Sequence, residues 1–155
     1  MECGKTFINE ALIMLQKLLF ITLLFVGFNA FALQQESGNV APPGADVYLI
    51  SPADGDIVSP TFTVRFGLRG MGIAPAGIDR AKTAHHHLLI DTKVLPDLTK
   101  PLQATDKVRH FGGGQTETQL TLKPGKHTLQ LLLGNYAHVP HDKPLMSTKI
   151  TITVK

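Results

Sequence analysis

The chain has one cysteine, Cys3, and it precedes the apolar run of residues 18–28, LLFITLLFVGF. No second hydrophobic segment follows. Lys17 stands before that run, and Ala30-Phe31-Ala32 stands after it. A basic start, a short apolar stretch and a small-x-small site are the three parts of a secretory signal peptide. The run is too short to cross a bilayer as a helix, which takes about 20 residues. Residues 1–32 are therefore expected to be a signal peptide, with Met14 an alternative start, and the mature protein to be periplasmic or secreted without a stable membrane anchor. Cleavage after Ala32 removes Cys3, which excludes disulfides, thiolate metal sites and cysteine nucleophiles from the mature chain.

Strong charge is also missing. Without Glu2, Lys5, Glu10 and Lys17, residues 33–155 carry 13 basic and 10 acidic side chains, scattered along the sequence. Aromatic residues make up 6% of the chain. Nucleic-acid binding calls for a basic stripe with aromatic platforms, so that class of partner is set aside. Helical periodicity is nearly absent. There is no G-x-S-x-G elbow for a nucleophilic serine. The glycines of GGGQTE (112–117) are not followed by the Lys-Ser/Thr of a phosphate loop; they suit a tight turn or a close backbone approach. Asp54-Gly55-Asp56 offers too few oxygens for calcium.

What is present is alternation with period two. Residues 33–45 are polar and rich in Pro and Gly, and read as a flexible leader. From 46 onward come short β-rich runs: 46–51, 61–68, 85–91, 116–122, 127–135 and 147–155. Phe62, Val64 and Phe66 share one face of their run, as do Leu129, Leu131 and Leu133, and Ile150, Ile152 and Val154. Turn-rich segments separate them. The segment 69–84 reads as a long loop, and 92–110 as a Pro-broken connection with room for one helical turn. The expected fold is all-β, an antiparallel immunoglobulin-like β-sandwich of six to seven strands over residues 46–155. LKPGKHTLQL (122–131) resembles the corner of such sandwiches in which an aromatic ring hydrogen-bonds back across the turn; His127 takes the aromatic place.

SPADGDIVSPTFTVRFGLRGMGIAPAG, HHHLLID, HFGGGQTE, LKPGKHTLQLLLGNYAHVPH and STKITITV, in that order, resemble a family of exported bacterial domains catalogued without a function. The resemblance spans about residues 46–154. It implies a small secreted all-β domain and brings no activity or binding residues.

All seven histidines lie after residue 32: 85, 86, 87, 110, 127, 138 and 141. Residues two apart on a strand share a face, so His85 and His87 project together and His86 turns away with Leu88 and Ile90. Their Cα atoms stand about 6.6 Å apart, and one ion at about 2.0–2.1 Å from each ring nitrogen is within reach of both. Further ligands must come from elsewhere: His110 beside the glycines, and His138 or, in its place, His141. Asp91, Asp106 and Asp142 are candidate carboxylates. Imidazole and carboxylate donors suit Zn²⁺ or Cu²⁺, whereas Cu⁺ favours sulfur; Met71 and Met146 are the only methionines past residue 32. The expected function is an exported, non-catalytic binding module that takes Zn²⁺ or Cu²⁺. The first alternative is an interaction domain for envelope protein or polysaccharide, with its histidines only hydrogen-bonded. The second is a zinc enzyme, for which Asp91, of the same parity as His85 and His87, is the nearest base.

Overall fold

The computed structural model describes residues 39–155; the signal peptide expected over 1–32 lies outside them. Nine strands form two sheets: β1 (Asp46–Ser51), β2 (Ile57–Val58), β3 (Thr61–Arg69), β4 (Gly72–Ile73), β5 (Thr83–Ile90), β6 (Val108–His110), β7 (Glu117–Thr121), β8 (Gly125–Gly134) and β9 (Ile150–Val154). One sheet has the order β1-β3-β7. The other runs β2-β9-β8-β5, and the far edge of β5 is shared, with β4 along its start and β6 along its end. The chain passes back and forth between the sheets, and all pairings of the main strands are antiparallel. The fold is an antiparallel immunoglobulin-like β-sandwich.

The alternating runs put their apolar faces between the sheets. Val64 and Phe66 of β3 and Leu120 of β7 meet Leu129, Leu131 and Ile152 of the opposite sheet, all buried. Burying one such side chain contributes about 1.5–3 kcal/mol, so this contact dominates the fold's stability. β5 departs from simple alternation, because it is buried on both faces. Its inward residues join the main core. On its outer face Leu89, with Leu132 of β8, lies beneath Leu102 and Val108, delivered by the connection after β5. That connection thus closes a second, smaller core.

Three segments differ from the sequence expectation. β4 lies inside what reads as a loop, and its two residues pair in parallel with Thr83 and Ala84. β2, also two residues long, pairs in parallel with the end of β9. The 92–110 connection contains no helical turn; its last three residues form β6, antiparallel to β5. Each is a short edge pairing that backbone hydrogen bonds create without any hydrophobic period.

Candidate metal centre

β5 sets the first two histidines. On the extended strand, His85 and His87 point to the same side and His86 to the other. All three are buried, with His85 and His87 at 0% exposure. His86 faces the main core, its ring 5.1 Å from that of Phe66, and its Nδ1 donates to the Gln115 carbonyl at 3.3 Å. It belongs to the packing between the sheets.

β6 brings the third. The β5–β6 register places His110 directly opposite His87, and their rings stack with centroids 5.1 Å apart. The fourth comes from the loop after β8. There the Asn135 side-chain oxygen accepts the Ala137 N–H at 2.9 Å and the Val139 N–H at 3.1 Å. The His138 N–H donates to the Asn135 carbonyl. This tight turn holds His138 at φ 65°, a left-handed conformation uncommon for a non-glycine residue, and aims its ring at β5. His85 Nε2 and His138 Nδ1 are 3.2 Å apart, in hydrogen-bond contact.

His85, His87, His110 and His138 each offer a ring nitrogen, and these four atoms all lie within 4.8 Å of one another. Such a group could hold a metal ion. His141 is outside it: buried at 5% exposure, its Nδ1 has no hydrogen-bond partner. No carboxylate joins the four among the described residues.

Asp91 is not the nearby base that strand parity suggests. β5 ends at Ile90, and Asp91 adopts φ 50°, which breaks the alternation. Its Oδ2 accepts from His127 Nδ1 at 2.7 Å and its Oδ1 from the Thr128 N–H at 2.8 Å. His127 Nε2 donates in turn to the Lys123 carbonyl at 2.9 Å, back across the corner. Both partners are acceptors, an arrangement that favours the doubly protonated ring, and the hydrogen bond to Asp91 raises the His127 pKa. The carboxylates of Asp54 and Asp56 accept backbone N–H groups of Thr151 and Ala53, and serve a turn.

Two glycines make room for the cluster. The place of a Cβ on Gly134, opposite His85 on β8, is 2.8 Å from His87 Cε1 and 3.2 Å from the His138 carbonyl carbon. A Cβ on Gly112 would overlap the His110 imidazole. The segment after β4 ties the turn after β6 to the loop that carries His138, since Ala76 N–H donates to the Gly112 carbonyl and Gly77 N–H to the Tyr136 carbonyl.

The cluster's chemistry follows from burial without counter-charge. Burial, then the neighbouring histidines, pushes His85 down to about 4 and His87 down to about 3. Burial and His138 lower His110 as well. Near neutral pH these imidazoles keep their lone pairs free, which metal ligation requires. His85 Nδ1 and both nitrogens of His87 are buried with no hydrogen-bond partner. Each such group costs about 1–3 kcal/mol, an expense that a cation bound through one nitrogen of each ring would offset in part. Period two was enough to read the His85/His87 pair. The choice of His138 over His141 depends on the Asn135 turn, which Gly134-Asn135 alone only hints at.

Residues 64–155 match a family described as a domain of unknown function, DUF4399. No curated protein matches the chain. Among solved structures, the chain is similar to an endo-β-1,4-mannanase from Thermotoga petrophila, at 18% identity and a TM-score of 0.44, over 72% of this chain and 20% of that one. It is also similar to the fibronectin(III)-like modules of Clostridium thermocellum CbhA, at 12% identity and a TM-score of 0.35, over 71% of this chain and 45% of that one. The chain thus spans less than half the length of either.

Proposed function

Because the chain belongs to DUF4399, a family with no assigned activity, its function rests on the site, and we propose that it is an exported, non-catalytic domain that binds a divalent transition metal, Zn²⁺ or Cu²⁺. The ligands are His85, His87, His110 and His138. One observation carries this reading: four imidazole nitrogens converge within 4.8 Å, and fully buried His87 has no hydrogen-bond partner at either nitrogen. Buried histidines kept for structure are ordinarily hydrogen-bonded, and even half-buried His127 is bonded at both nitrogens. His87 is the opposite case.

The metal would join β5, β6 and the loop after β8, which lie far apart in sequence. Burial keeps His85 and His87 neutral near pH 7 and their rings fixed. Export, expected from the sequence of residues 1–32, would put the domain where metals are met outside the cytoplasm.

Metal content of protein purified without a histidine tag, followed by calorimetric titration with Zn²⁺ and Cu²⁺, tests the proposal. One equivalent is expected to bind, and His85→Ala/His87→Ala to abolish binding. Undiminished binding by the double variant would move the site elsewhere, and no binding by the parent protein would end the proposal.

A further inference from the structure

The shape of the four-histidine set bears on which ion it takes and whether a coordination position stays open; this inference rests on the metal-binding reading above. The ring centroids are separated by 4.9 Å (His85–His87), 5.0 Å (His85–His110), 5.0 Å (His85–His138), 5.1 Å (His87–His110), 6.1 Å (His87–His138) and 4.6 Å (His110–His138). Four imidazoles at the corners of a tetrahedron around one zinc ion have centroids about 5.2 Å apart along all six edges. In a square array around one ion, four separations fall to about 4.5 Å, and the two between opposite corners rise to about 6.4 Å.

The opposite edges decide between the two. If His87 and His138 were opposite corners of a square, His85 and His110 would be the other opposite pair and equally far apart. They are 5.0 Å apart, against 6.1 Å for His87–His138. The set is a tetrahedron opened along one edge. That edge ends on His138, the one ligand carried by a loop.

We infer that the site takes Zn²⁺ in a closed, four-imidazole tetrahedron with no position left for water. Zinc has no geometric preference of its own and accepts four protein ligands in closed sites, while catalytic zinc keeps a position free. Cu²⁺ favours a tetragonal array, which these separations do not form, and Cu⁺ favours sulfur, which none of the four ligands supplies. A closed shell also accords with Asp91 being turned to His127, because no bound water is left for a base to activate.

Cobalt reports the coordination number directly. Metal-free, untagged protein loaded with one equivalent of Co²⁺ is expected to show the intense visible bands of a tetrahedral ion. Excess azide should leave them unchanged, and one equivalent of Zn²⁺ should remove them. In His138→Ala, which frees a corner, azide is expected to alter the spectrum. A weak, six-coordinate Co²⁺ spectrum in the parent protein, or a parent spectrum that azide changes, overturns the closed tetrahedron while metal binding stands. Failure of Co²⁺, Zn²⁺ and Cu²⁺ all to bind overturns both.

Discussion

His87 and His110 face each other across the β5–β6 ladder, with stacked rings and centroids 5.1 Å apart. The pairing joins a fully buried histidine of the cluster to an exposed one on a three-residue strand. On the proposed reading, metal bound there would fasten an edge that backbone pairing alone holds weakly.

Saturating metal should therefore raise the melting temperature. At a hundred times Kd, a ligand bound only by the native state adds about 2.7 kcal/mol, which for a domain of this size is roughly 10 °C. Calorimetric scans with and without Zn²⁺ measure it. His110→Ala should abolish most of the shift, while the metal-free melting temperature changes little, since His110 is exposed.

His87→Leu separates function from stability. Removing a buried ring with two unpartnered nitrogens should stabilise the metal-free protein, by about 1–3 kcal/mol, and destroy metal binding. Chemical denaturation of both proteins in chelator checks the first part and titration the second. Destabilisation in chelator would mean the ring has a structural role.

Gly134→Ala should harm the site through backbone spacing. The added methyl meets the His87 ring and the His138 backbone. Overpacking of this kind costs about 1–3 kcal/mol, and metal affinity should fall with it. Melting temperature and calorimetric affinity are the readouts.

Two groups of histidines should bend the pH dependence of stability in opposite directions. Free imidazoles titrate near 6.5, whereas folded His85 is held down to about 4 and His87 to about 3, chiefly by burial. Between those values the unfolded chain binds more protons, so stability falls as pH falls through that window. His127 is raised, first by its hydrogen bond to Asp91. Its contribution is complete below 6.5 and is lost as pH rises through the folded value. Melting temperatures across the pH range should show a maximum, and His127→Gln should flatten only the alkaline side.

The sandwich was legible because its long strands alternate, and the turn residues between them mark their ends. The edges were not. β2 and β4 contribute two residues each, too few for any period, and β6 follows a connection broken by prolines. At the site, parity was enough to separate His85 and His87 from His86. It failed one residue past the strand, at Asp91, where a left-handed φ ends the alternation. His110 entered through register, a property of two strands together. His138 entered through a turn built by Asn135, whose side-chain bonds no spacing rule exposes.

Asn39 gives the metal loop a mechanical connection. Its side chain donates to the Pro140 carbonyl and accepts from Asn135 Nδ2 at 3.0 Å, while its own carbonyl accepts the Asp142 N–H at 2.9 Å. Tension arriving along the backbone from the N-terminal side is therefore borne first by the segment that carries His138. If the proposed ion is bound, a pull there would act on the corner that His138 supplies before it reached either sheet.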